Sequence, residues 1–93
     1  MARQRFANVW DALEPTSAEA ANMKLRSELM IRIRGQIADW KTTQALAARR
    51  LGITQPRLND LLRGRINKFS VDALVALAAK AGLVVRLDIV AAA

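Results

Sequence analysis

Ninety-three residues allow one modest core but not two. The chain lacks cysteine and histidine, so a disulfide framework, a thiolate metal site and the commonest general base are excluded, and no cofactor or metal is expected. The formal charge is +7, and a hydrophobic share of 53% rich in alanine suits closely packed helices better than a β-sandwich.

Met1 to Gln4 is expected to be disordered, and the N-terminus lacks the apolar stretch of a signal peptide. No apolar run approaches the roughly 18 residues of a membrane span, so a soluble, cytoplasmic protein is expected. Phe6, Val9, Trp10 and Leu13 stand at i, i+3, i+4 and i+7 and form one face of a short helix. So short a helix is marginal without packing. Either it folds back on its own domain or it anchors on a partner.

Pro15 ends that segment, and Thr16-Ser17-Ala18-Glu19 reads as a capping box. One long helix follows, from about Ser17 to Trp40, with Ala18, Ala21, Leu25, Leu29, Ile33, Ile37 and Trp40 as its inward stripe. Lys24, Glu28 and Arg32 are spaced to pair along its outer face. Gly35, inside the helix, marks a close contact or a bend. A helix of this length spans roughly 36 Å, more than two short helices can cover, so its N-terminal half is expected to project and pack on something else.

Thr43 caps a helix from Gln44 to Leu51, with the small pair Ala47-Ala48 where two helices cross. Leu51-Gly52-Ile53 then supplies a turn in which glycine can take positive φ. Thr54 caps the next helix, which Gln55 and Pro56 open and which runs to Arg63, with Leu58, Leu61 and Leu62 inward. Gln55, Pro56, Asn59, Asp60 and Arg63 are left on the outward stripe, and Gly64 is the stop. Two short helices around a tight turn are the layout of a DNA reader. The charge agrees: Lys41 to Lys68 holds seven basic residues against the single acid Asp60, a net +6, while the flanks nearly cancel. A charge run is ordinarily a solvated face; on an element laid out to dock on phosphates it reads as an electrostatic footprint.

Ile66 and Phe69 return to the core, and Ser70 caps a helix from Val71 to Ala81 with Val71, Leu74, Val75 and Ala78 inward, ended by Gly82. The period then changes. Val85, Leu87 and Ile89 alternate with Val84, Arg86 and Asp88, a strand pattern from Leu83 to Val90. No second strand is evident in the chain, so the simplest partner is the same strand of another copy, through Val84, Val85, Leu87 and Ile89. The alternative is a tail lying irregularly across the core.

Thr43-Gln44, Ala47-Ala48, Leu51-Gly52-Ile53-Thr54-Gln55 and Leu62-x-Gly64 resemble the Xre (Cro/CI-like) helix-turn-helix family, over about Ile31 to Leu83. Further out, Phe6-x-Asn8-Val9-Trp10-x-Ala12-Leu13, Gln55-Pro56-Arg57, Arg63-Gly64-Arg65 and Phe69-Ser70-Val71-Asp72 look like a subgroup that includes HigA-like antitoxins. Phe69 stands where many Xre domains carry proline, in keeping with that subgroup. Taken with the elements read above, the resemblance leads to an expected mainly α, five-helix lambda-repressor-like domain with an N-terminal helical extension and one C-terminal β-strand paired across a homodimer. It implies a repressor of an operator, often its own, and for antitoxins a RelE/HigB-like ribonuclease toxin as partner, with Phe6, Val9 and Trp10 as candidate contacts; the alternative is a stand-alone repressor.

By the same resemblance Gln44 contacts phosphate, and Gln55, Pro56 and Asp60 face base edges. Glutamine can read adenine by two hydrogen bonds, Asn59 can also reach an edge, and Pro56 offers only apolar contact. Asp60 either accepts from cytosine N4 or orients Arg57 or Arg63. Thr54, Arg57, Arg63, Arg65 and Lys68 are assigned to phosphates, which position the protein without reading sequence. An enzyme is rejected, because Thr16, Thr43, Thr54 and Ser70 are better explained as caps. The expected organisation is an extension over 1–15, the helix-turn-helix domain over 16–82, and a dimerisation strand and tail over 83–93.

Overall fold

The structure, a computed structural model, describes residues 16–92; the expected helix bearing Phe6, Val9 and Trp10 lies outside them. Four α-helices follow in order: α1 (Ser17–Trp40), α2 (Gln44–Leu51), α3 (Gln55–Leu62) and α4 (Val71–Lys80), with one 3-10 turn (Ile66–Lys68) before α4. The described residues thus carry four α-helices where five were expected. Ile66–Lys68, read as a return of the chain to the core, forms a single tight turn.

Each helix starts where its hydroxyl cap stands. The Glu19 amide donates to Thr16 Oγ1 at 3.1 Å while Thr16 N–H donates to Glu19 Oε1 at 2.9 Å, closing the capping box of α1. Thr43, Thr54 and Ser70 accept from Leu46, Arg57 and Ala73 amides at 3.2, 3.2 and 3.1 Å. Every one of these hydroxyls is thereby occupied in satisfying amides that have no partner within the helix.

The core gathers Leu29, Met30, Ile33 and Ile37 of α1, Ala47, Ala48 and Leu51 of α2, Leu58 and Leu61 of α3, Phe69, and Leu74, Leu77, Ala78 and Ala81 of α4 and its end. Two stripes differ from expectation. On α4, Leu77 is buried and Val75 is 39% exposed, so the inward face is Leu74, Leu77, Ala78 and Ala81 at i, i+3, i+4 and i+7. On α1, Ala18 and Ala21 are exposed and Leu25 is 45% exposed, whereas Met30 is buried. The physical reason is rotation: steps of four residues advance about 400°, so a strict i+4 series drifts about 40° per step. The face that stays inward runs through Arg26, Leu29, Met30, Ile33, Gln36, Ile37 and Trp40.

Arg26 and Gln36 on that face are polar, and both work as fasteners. Arg26 Nη1 donates to the carbonyls of Ile66 at 2.9 Å and Phe69 at 3.5 Å, and its Nε donates to Asn22 at 2.7 Å. Gln36 Nε2 donates to the Ala81 carbonyl at 3.1 Å. They tie α1 to the 3-10 turn and to the end of α4, satisfying carbonyls that helix ends leave free. The first turns of α1, through Leu25, are exposed, as the length argument expected. The Lys24–Glu28–Arg32 ladder is not formed: among the described residues the one ion pair is Arg65–Asp60. Gly35 would place a Cβ with nothing within 4 Å, so it marks no close contact.

The expected C-terminal strand is not formed in this single chain. After Gly82 the Leu83 amide donates to Ala78 O at 2.9 Å, and among the described residues no later backbone group pairs with another. Residues 83–92 have no regular secondary structure. Val84, Leu87 and Ile89 are 81%, 79% and 79% exposed, and Val85 is 47% exposed. The cause is topological: a strand exists only with a partner edge, and none of the described residues provides one.

Candidate nucleic-acid interface

The turn between α2 and α3 is set by Gly52, at φ 71 and ψ 31, a left-handed conformation that strains any residue with a Cβ. The Ile53 amide closes it by donating to Ala48 O at 3.0 Å. Leu51, Leu58 and Leu61 are fully buried beneath. With that face of α3 fixed, the opposite one is determined. Gln55 and Pro56 at its N-terminus and Arg63 at its C-cap are exposed, and Asn59 and Asp60 are half-buried. Gln44 is exposed in the first turn of α2, beside the amides that Thr43 leaves free.

The basic candidates separate into two kinds. Arg63 and Lys68 are exposed, and none of their side-chain atoms is hydrogen-bonded to another described residue. Arg57 is held differently. Its Nη1 donates to the Lys68 carbonyl at 2.8 Å, and its guanidinium lies 4.1 Å from the centroid of the buried Phe69 ring. A stacked, hydrogen-bonded guanidinium of this kind fastens α3 to the segment that follows it. Asp60 orients neither Arg57 nor Arg63, as the sequence reading allowed; its carboxylate accepts from Arg65 Nη1 at 3.1 Å. Five residues separate them across the Gly64 turn, so the end of α3, not helical spacing, brings the pair together. Thr54 Oγ1 is spent on its cap, which leaves the helix start as its route to a phosphate.

Arg34 and Lys80, for which local spacing gave no signal, border this surface together with Arg50 of the basic run. Arg34 of α1 brings Nη1 to 3.2 Å from where a Cβ on Gly64 would stand, beside Arg63 and Arg65. Lys80 of α4 places Nζ 3.2 Å from the equivalent point on Gly52, near the carbonyl end of α2, where a cation is favoured. Arg50, in the last turn of α2, lies 4.0 Å from the centroid of the Trp40 ring. Arg34 and Lys80 are brought there from other helices by contacts that only the assembled fold reveals.

Comparison with known proteins follows the same outline. The model of a family described as a helix-turn-helix domain matches residues 13–90. A solved structure assigned to the XRE family of transcriptional regulators aligns with a TM-score of 0.74 at 28% identity, over 80% of this chain and 83% of that one. A search of curated proteins finds no relative. Among the described residues no helix is long and apolar enough to cross a membrane. With the match extending over most of its length, the chain belongs to the helix-turn-helix domain family, in the Xre-type form, a family of DNA-binding transcription regulators and not of enzymes.

Proposed function

We propose that the protein is a sequence-specific repressor that reads an operator as a homodimer, each copy laying α3 in the major groove. The observation that carries this reading is the outward face of α3: Gln55 and Pro56 are exposed at a capped helix start, with Asn59 one turn on and Leu58 and Leu61 locked behind. Gln55 reads adenine through its amide, Asn59 reaches a neighbouring edge, and Pro56 packs on a thymine methyl. Asp60 keeps its second carboxylate oxygen for a cytosine N4, while its first holds Arg65 toward the backbone. Arg63, Arg65, Lys68 and the amides behind Gln44 and Thr54 take phosphates. Arg57 serves chiefly to brace α3 for that task.

One α3 offers too few outward side chains to select a site within a genome, which is the reason to propose a dimer seamed by the tail. The test is selection of binding sites from a pool of random duplexes by the purified protein. An enriched inverted repeat with half-sites about one helical turn apart, ~34 Å, is the expected result. Retention of duplexes without enrichment means charge alone is at work, and the reading fails.

A second role is favoured by one observation. The first turns of α1 expose Met23 at 43%, with Ala18 and Ala21 also exposed, an apolar surface suited to a protein partner. With the resemblance to HigA-like antitoxins, this supports neutralisation of a RelE/HigB-like toxin encoded beside the gene, with autorepression of the shared operon. Phe6, Val9 and Trp10 are the proposed additional contacts. Co-expression with the adjacent reading frame tests it: a small protein that is harmless alone, or that does not co-purify, removes the antitoxin role and leaves the repressor intact.

A further inference from the structure

The tail carries more information than an unpaired strand needs. Its order, Leu83-Val84-Val85-Arg86-Leu87-Asp88-Ile89-Val90, has a chemical dyad at Leu87. When two copies run antiparallel about that residue, Arg86 stands opposite Asp88 on both sides of the axis. Val85 then faces Ile89, Val84 faces Val90, and Leu87 faces itself. Neighbouring registers lose this. Centring on Arg86 or Asp88 sets a like charge against its own copy, and centring between residues puts Arg86 and Asp88 against aliphatic partners. Opposite charges across a pair are stabilising and like charges destabilising, so the charges select one register among several that hydrophobicity alone allows.

The body of the molecule supplies a seat for the ribbon. A groove of about 310 Å³ is lined by Leu25, Glu28, Leu29 and Arg32 of α1, Ala78 of α4, and the tail from Leu83 to Arg86. Leu83 is half-buried and Val85 is 47% exposed, against 79% for both Leu87 and Ile89. The tail therefore borders the groove from Leu83 to Arg86 and leaves it at Leu87. In the register centred there, Ile89 of the second copy lies directly opposite Val85, over that groove. A two-stranded ribbon alone is marginal in water, and this footing on α1, with Leu25 and Leu29 as its apolar part, is what stabilises it.

We infer that the groove between α1 and the tail is the seat of a second copy of this chain, and that the copies pair antiparallel through Leu83–Val90 with Leu87 on the two-fold axis and reciprocal Arg86–Asp88 pairs beside it. This rests on the dimeric reading above and specifies it. The chain has no cysteine, so introduced thiols report register without interference. Mild oxidation of Leu87→Cys is expected to give a disulfide-linked dimer. Val85→Cys and Ile89→Cys, each about 13 Å from its own counterpart, are expected to cross-link only when the two variants are mixed. Arg86→Asp, which sets two acids opposite each other twice, is expected to weaken dimerisation about ten-fold, and adding Asp88→Arg is expected to restore it.

A sedimenting dimer in which Leu87→Cys does not cross-link, or in which all three variants cross-link alone, overturns the register while leaving dimerisation standing. A protein that stays monomeric at every concentration overturns both. Failure of Asp88→Arg to rescue Arg86→Asp shows that the charges do not face each other.

Discussion

At the level of single residues, two arginines of the α3 segment are held in different ways. Arg57 and Arg63 read alike as phosphate contacts, yet Arg57 is hydrogen-bonded to Lys68 O and stacked on Phe69 while Arg63 is exposed. Their alanine variants are therefore expected to differ. Arg57→Ala should lower stability by about 1–2 kcal/mol, read as a lower Tm. Arg63→Ala should leave Tm unchanged, weaken binding to all duplexes, and reduce the slope of log K against log salt by about one unit. Gln55→Ala should keep the salt slope and relax preference at one base pair by about 1–3 kcal/mol, measured by competition between operator variants. The caps were legible because a hydroxyl before a helix has one dominant use. Arg65 as the partner of Asp60 was not, because the Gly64 turn brings the two together and helical spacing does not.

At the level of elements, helix limits followed from caps and glycines, and the observed starts at Ser17, Gln44, Gln55 and Val71 fall where those signals stand. Rotation about the helix axis was less legible. A reader of apolar residues alone follows Leu25, Leu29, Ile33 and Ile37, although the buried face passes through the polar Arg26 and Gln36. Such residues are invisible to hydrophobic patterning because their burial is offset by carbonyls elsewhere in the fold. Arg26→Ala should accordingly cost about 1–2 kcal/mol and speed amide exchange in the 3-10 turn at Ile66–Lys68 rather than in α2. Gly35 offers the opposite case. It is exposed, mid-helix and free of any neighbour that a Cβ would meet, so Gly35→Ala should stabilise the protein by about 1 kcal/mol, seen as a higher Tm.

At the level of the molecule, the fold is organised by α1, which supports α4 and the 3-10 turn and flanks the groove that the tail borders. The tail's alternating pattern was plain in the sequence, but a strand is a property of two edges, and none of the described residues offers the tail a partner. Ending the chain after Leu83, which keeps the Leu83 amide on Ala78 O, should leave the domain folded with an unchanged helical spectrum. On the proposed pairing it should sediment as a monomer and bind a two-half-site operator about 10²-fold more weakly, because the second half-site is no longer engaged within one complex.

The backbone groups left open beyond Leu83 bear on how such a regulator responds to its own abundance. Where the seam between copies is a short ribbon seated on a shallow groove, assembly is reversible and the species competent to occupy a site is set by mass action. Below the dissociation constant of the pair, halving the amount of protein lowers that species about four-fold. On the proposed dimer, a modest loss by dilution or proteolysis would thereby become a steep release of the gene it controls. On that reading the steepness resides in ten residues, 83–92, that have no regular secondary structure in the single chain.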